Sequence, residues 1–263
     1  MLEFFGFFII GFLAQIVDGA IGMAYGLISM AILLSIGISP IAASASIHTS
    51  EIVTTGISGI AHAMFKNIDY TLFRRLLLPG IIGSIIGAYL LTRIPIDIIK
   101  PIISVYLFVL GMIIIYKAFK TKNWMEKIKI LINKALEREK PAHHPYRIIP
   151  LGLAGGFCDA IGGGGWGAFI TSSLLAQDDE EPRFTVGTAN FAEFLIAMSS
   201  SITFFILIGI SHWRIVLGLI SGGAIAAPIA AFSLKYIPIR ILLFLTGLLV
   251  ILVSLQMIAK LIF

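Results

Sequence analysis

The sequence predicts an all-α, polytopic membrane protein made of two homologous repeats, inverted relative to one another, with glycine-broken or re-entrant helices at the repeat interface. Three observations predict it. Hydrophobic residues make up 58% of the 263-residue chain and charged residues 13%, where a soluble domain carries roughly 25% charge. Apolar stretches recur at the length a bilayer core demands, about 20 residues per helical span. The order of acids, prolines and glycines in the first half returns in the second.

The composition comes first because it excludes most function classes. With a mean hydropathy of +1.01, the chain has too little charge to cover a water-facing surface, so lipid is its solvent. A soluble enzyme, a nucleic-acid binder and a disordered scaffold are all excluded. The pI near 9.4 is no sign of nucleic acid, because the excess charge is local. Nine of the 19 Lys and Arg lie between Lys117 and Arg147, opposed by Glu126, Glu137 and Glu139. A single cysteine, Cys158, permits no internal disulfide.

The elements follow in order. In the first repeat, residues 1–119, apolar stretches run over Phe4–Val17, Gly19–Leu34, Ile41–Phe65, Leu76–Thr92 and Pro101–Tyr116. In the second, residues 147–263, they run over Ile148–Cys158, Ala160–Ala176, Phe184–Ile210, Ile215–Leu234 and Ile241–Ala259. The stretches flanking Asp18 and Asp159 are too short for full spans, and read either as two tight helices or as a broken, partly re-entrant pair. Residues 120–146 form a basic linker. There Trp124, Ile128, Leu131, Ile132, Ala135 and Leu136 recur at helical spacing against lysines, which fits an amphipathic helix on an anionic leaflet or a solvated connector. His143 and His144 read as solvated. The linker's lysines place it on the cytoplasmic side. The start Met-Leu-Glu has no positive region, so no cleaved signal peptide is expected.

The repeat is explicit. Gly11–Asp18 lines up with Gly152–Asp159 at an offset of 141, which also sets Gly22 on Gly163 and Tyr25-Gly26 on Trp166-Gly167. Pro40 and Glu51 meet Pro182 and Glu193 at 142, and Ile94-Pro95-Ile96 meets Ile237-Pro238-Ile239 at 143. Five segments per half, an odd number, invert the second copy, whereas four per half leave the copies parallel and move Arg183, Lys235 and Arg240 to the other side. The inverted arrangement gathers Lys66, Arg74, Arg75, the linker, Arg183, Lys235 and Arg240 on one side, as the positive-inside rule requires. Inverted repeats are the architecture of secondary transporters, with the site at the repeat interface.

Four acids are candidate proton-coupling groups. Asp18 and Asp159 sit inside apolar, glycine-rich stretches, and Glu51 and Glu193 inside the following helices. A carboxylate at membrane depth is costly and by default functional; the competing reading is that these acids cap neighbouring helix ends. The run Gly162, Gly163, Gly164, Gly165 disfavours a continuous helix. A helix restarting beyond such a break aims free N–H groups at the gap, which suits an anion. Gly19 and Gly22 offer a weaker version, and small-residue helix packing competes as an explanation for both. Ahead of each Glu the helix is polar: Ser46, His48 and Thr49 in the first half, Thr188 and Asn190 in the second. Hydroxyls, an amide and an imidazole can replace the hydration of an oxyanion, and a histidine can relay a proton; the competing reading is that Ser and Thr bond back to their own helix. Tyr25 and Trp166 read as packing residues. Neither a metal-ligating cluster nor a cofactor motif is read from the chain; G-x-G-x-x-G over Gly162–Gly167 lacks the strand–turn–helix context of a dinucleotide site.

Asp18-Gly-Ala-Ile-Gly22, Asp159-Ala-Ile-Gly-Gly-Gly-Gly-Trp-Gly167, Ala43-Ser-Ala-Ser-Ile-His-Thr49 and Val186-Gly-Thr-Ala-Asn190 resemble the signature of the TauE/SafE sulfite exporter family, also called the toluene-sulfonate uptake permeases. The resemblance spans the chain apart from the basic linker. It implies a multi-pass protein of a prokaryotic cell membrane that moves sulfite or an organosulfonate, with Asp18, Gly19, Gly22, His48, Thr49, Asp159, Gly162–Gly165, Thr188 and Asn190 lining the path.

The expected function is therefore secondary transport of a small anion by alternating access, proton-coupled at the acids, with membrane lipid as the surrounding partner and no cofactor. No G-x-x-x-x-G-K-[ST] motif is present, so ATP hydrolysis is not expected of this chain. An uncoupled channel is the alternative. An intramembrane aspartyl protease is a remote one, because Gly156-Phe-Cys-Asp159 does not meet the Gly-x-Gly-Asp signature.

Overall fold

A computed structural model describes residues 2–21, 23–120, 145–175, 182–209, 212–233 and 239–262. Among these residues every element is helical. The first half holds α1 (Leu2–Ile21), α2 (Tyr25–Ser35), α3 (Pro40–Met64), α4 (Tyr70–Arg93) and α5 (Ile96–Lys120). The second holds α6 (Pro145–Gly162), then α7, a π-helical turn Gly167–Thr171 that runs into Ser172–Leu175, then α8 (Pro182–Ile208), α9 (Trp213–Ser233) and α10 (Ile239–Ile262). Gly22 and the linker helix expected around Trp124–Leu136 lie outside the described residues.

Five helices are long and apolar enough to cross a membrane by length and composition, within α4, α5, α8, α9 and α10. This is a multi-pass membrane protein. Large apolar side chains such as Phe5, Ile57, Leu78, Phe205 and Leu252 stand outward, all more than half exposed, as a lipid-facing surface requires.

Local signals explain where the helices begin. Ser39 caps α3, its hydroxyl accepting the N–H of Ala42 at 3.3 Å, with Pro40 at the first helical position. Asp69 caps α4, accepting from Thr71 at 2.8 Å and Leu72 at 3.2 Å. Each half then breaks early. The chain between α1 and α2 turns at Ala24, with φ 119°, and the chain between α6 and α7 turns through Gly163, Gly164 and Gly165 at φ 65°, 147° and 151°. The π-helical turn at the start of α7 follows this second break directly, a position such turns often take beside functional sites.

Packing is shared between the halves. α1 lies along α9 in the same direction: Gly11 faces Leu219, Gly19 faces Ala230, and Glu3 and Arg214 meet at 3.2 Å at the two starts. α4 lies along α6 in the same direction, with Gly152 against Leu76 and Gly87 against Ala160. These are the same contacts at the sequence offset, Gly11–Leu219 with Gly152–Leu76 and Gly19–Ala230 with Ala160–Gly87. A Cβ on Gly83 or Gly156 would overlap the facing backbone, so this seam tolerates glycine alone. α5 and α10 run antiparallel, Gly111 opposite Ile251 and Phe119 opposite Phe244. α3 and α8 also run antiparallel, Thr49 opposite Ser201 and Gly59 opposite Phe191.

Candidate functional site

The two breaks meet in the middle of this packing. A Cβ added to Gly26, at the start of α2, would lie 2.5 Å from Gly164 Cα and 2.6 Å from Gly163 O. Backbone touches backbone there, so side chains on α3 and α6 decide what chemistry the crossing carries.

Asp159 is the pivot. The chain leaves α6 in a Schellman turn, Gly164 N–H donating to Asp159 O at 3.1 Å with Gly163 left-handed. The side chain reaches across the break, and Oδ1 accepts the N–H of Trp166 at 2.8 Å, with Gly165 N–H also directed at the carboxylate. Asp18 does the same in the first half, accepting Tyr25 N–H at 3.2 Å. Each acid caps the helix that restarts after the break in its own half, so the N–H groups that the sequence suggested would hold an anion hold a carboxylate of this chain. The helix-capping reading of these two acids is realised. It leaves Asp159 Oδ2 buried and without a hydrogen-bond partner.

His48 fills that gap. Its Nε2 lies 3.2 Å from the Asp159 backbone oxygen, its Nδ1 3.0 Å from Glu51 Oε2 and 3.8 Å from Asp159 Oδ2. A carbonyl only accepts, so Nε2 carries the hydrogen and Nδ1 faces both carboxylates. Phe204 of α8 stacks on the ring at 6.2 Å with planes 13° apart. All three polar residues are buried, His48 and Asp159 at 0% exposure and Glu51 at 2%. Their donor atoms lie within 4.8 Å of one another. Two ionised carboxylates beside one imidazole are costly in so dry a place, and a shared proton or a small cation would offset that cost. The cluster spans both halves, His48 and Glu51 coming from the first and Asp159 from the second.

The other expected residues are distributed around this cluster. Glu193 lies in the second half's place for Glu51, and the N–H of Gly167 is directed at it. Ser46 is buried with its hydroxyl unpartnered. Thr49 bonds back to Ala45 O at 2.7 Å and across to Ser201 Oγ at 2.9 Å. Gly162 and Gly165 pack on the ring and hydroxyl of Tyr106. Gly19 is exposed on α1, and its close neighbour is Ala230, so small-residue packing accounts for it. Thr188 and Asn190 stand elsewhere. Thr188 Oγ1 accepts the N–H of Asp69 at 2.8 Å, ahead of α4, and Asn190 Nδ2 donates to Ser58 Oγ at 3.1 Å. Asn190 stands about 21 Å along α8 from the level of Phe204 and His48.

Three residues outside the expected set also hold the site. Phe204 is the stacking face for His48. Tyr106 of α5 donates to Gly164 O at 3.4 Å, and Tyr25 donates to Ser50 Oγ at 3.2 Å and Leu219 O at 3.1 Å. Tyr106 carried a weak signal, one of two phenols in a largely apolar helix. Phe204 is one of 19 phenylalanines and carried none. Trp166 is fully buried, as a packing residue should be, and its Nε1 donates to Ala189 O at 3.0 Å.

Comparison with known proteins places this geometry. "Probable membrane transporter protein YtnM" of Bacillus subtilis (strain 168) is 42% identical over 232 residues, covering 87% of this chain and 74% of the relative. No solved structure matches the chain. The family model for the sulfite exporter TauE/SafE matches residues 7–259. Both descriptions are of transporters, so the protein is not an enzyme and the aspartyl-protease alternative falls away. A chain with a helix break in each half and a buried acid cluster between its halves, matched by that model almost end to end, belongs to the sulfite exporter TauE/SafE family.

Proposed function

We propose that this transporter moves a small anion, sulfite or an organosulfonate, by alternating access between inverted repeats, coupled to protons at Asp18, Glu51, Asp159 and Glu193. The observation that carries the reading is His48 of one half held between Glu51 and Asp159 where the two breaks cross.

Inversion is supported by direction. α3 and α8 hold equal places in their halves and run antiparallel, as do α5 and α10. A two-fold axis that reverses its paired helices lies across them, in the membrane plane. The halves are taken as residues 1–119 and 147–263, joined by the linker 120–146. Alternating access is supported by unequal exposure of like parts: Asp18 is half-buried whereas Asp159 is fully buried.

Coupling follows from the caps. An ionised Asp159 occupies the N–H groups of Gly165 and Trp166, and an oxyanion would need those same groups. Protonation removes the carboxylate's claim on them and leaves them to the substrate, so proton and anion travel together. His48 accepts or returns that proton through Nδ1. The buried Ser46 hydroxyl and the N–H groups of Gly165 and Trp166 line the path at the cluster, and Thr188 and Asn190 stand at its distant end on α8.

Labelled sulfite uptake into proteoliposomes, with and without an imposed pH gradient, tests this. Saturable uptake accelerated by the gradient is expected. Uptake indifferent to the gradient would identify an uncoupled facilitator, and absence of uptake by folded protein, for sulfite and for organosulfonates alike, would overturn the substrate class.

A further inference from the structure

Between α4 of the first half and α8 of the second lies a groove of about 700 Å³, walled by Ile81, Ile85 and Tyr89 on one side and Met198, Ile202 and Ile206 on the other. Two of its three polar side chains, Ser199 and Thr203, are already in hydrogen bonds. Thr203 Oγ1 donates to Ser199 O at 2.8 Å and Ser84 donates to Ser199 Oγ at 3.4 Å. The walls therefore present hydrocarbon, which suits a flexible apolar chain and not a polar substrate. One end of the groove is charged. Tyr89 lines it, and the Arg93 guanidinium lies over the Tyr89 ring at 5.3 Å, one turn further along α4 and exposed. An apolar trough that ends in an arginine held on an aromatic ring has the two chemistries of an anionic phospholipid, in the order they occur along the molecule.

We propose that this groove is a specific phospholipid site, with one acyl chain lying between α4 and α8 and the phosphate of its headgroup at Arg93. The lipid lies astride the seam between the halves, so on the alternating-access reading, on which this link rests, its occupancy is tied to their relative position.

Native mass spectrometry of the detergent-purified full chain, with added phosphatidylglycerol, tests the proposal. The unmodified protein is expected to retain at least one phosphatidylglycerol through detergent exchange. Ile202→Trp fills the trough and should abolish retention. Arg93→Gln, at an exposed position outside the packing, should weaken retention about fivefold, the contribution of one basic side chain near a lipid surface. Equal retention by all three proteins would mean general lipid adherence and would overturn the proposal. So would loss with Arg93→Gln alone, or a dimer mass that Ile202→Trp splits, which would assign the groove to a second copy of this chain.

Discussion

Asp159 and Trp166 stand on opposite sides of a three-glycine break, and the carboxylate of one accepts the backbone N–H of the other at 2.8 Å. The same acid offers its backbone oxygen to His48 and its second carboxylate oxygen to the gap beside His48 Nδ1. One residue thus joins the end of α6, the start of α7 and the only described histidine–acid cluster.

Two substitutions separate its roles. Asparagine keeps an oxygen acceptor for Trp166 N–H and loses the titrating carboxylate. Asp159→Asn should keep a near-native melting temperature and lose acceleration of uptake by a pH gradient. Asp159→Ala should lose both, with about 1 kcal/mol less stability from the missing cap. Thermal melts and gradient-driven uptake on the same preparations check this; gradient response surviving in Asp159→Asn would remove this residue from coupling.

His48 has Asn190 as its counterpart in the second half, which makes His48→Asn the natural test. Asparagine can still reach a neighbouring carbonyl but cannot exchange a proton. Uptake should fall about 10²-fold or more, the usual contribution of a positioned proton carrier, and the slope of rate against pH should flatten. A variant with full rate and unchanged pH profile would leave His48 as a packing residue on Phe204.

Ala24 is strained where its counterpart is glycine. It sits at φ 119°, and the matching position in the second half is Gly165 at φ 151°. A non-glycine residue held there costs of order 1–3 kcal/mol. Ala24→Gly should therefore raise thermal stability, and Gly165→Ala should lower it, since its Cβ would also strike the Tyr106 hydroxyl. If Ala24→Gly is instead destabilising, loss of the side chain outweighs relief of the backbone.

Much of this was legible from particular residues. The doubled Asp, Glu and Pro positions gave the repeat, because duplication preserves order even as side chains drift. Composition gave the membrane. The glycine run gave the second break, since only glycine enters three successive positive-φ positions cheaply; the first break was read from Asp18, Gly19 and Gly22, but its strained position, Ala24, had no mark of its own. Capping of Tyr25 and Trp166 by Asp18 and Asp159 was one of two readings, and sequence could not choose because both need an acid beside a break. The partnership of His48 with Asp159 spans 111 residues, and nothing local encodes it. Thr188 and Asn190 matched the polar pattern of the first half, yet a two-fold brings together only equivalents near its axis, as it does the two breaks, and sets those far from it apart, as it does His48 and Asn190.

The motion itself can be trapped at a pair of hydroxyls. Thr49 on α3 and Ser201 on α8 meet at 2.9 Å, one from each half. Hydroxyl oxygens this close put their Cβ atoms within the range of a disulfide after small rotamer changes. Thr49→Cys/Ser201→Cys, made in a Cys158→Ala background to remove the native thiol, should cross-link on oxidation and join the halves at mid-helix. If transport needs α3 and α8 to move past each other, oxidised protein should lose about tenfold or more of its uptake, and dithiothreitol should restore it, because opening and closing of the site sets the rate. The reduced variant controls for the loss of the hydroxyls. Full uptake by quantitatively cross-linked protein would mean that these two helices travel as one body, and that any alternating access divides the molecule elsewhere.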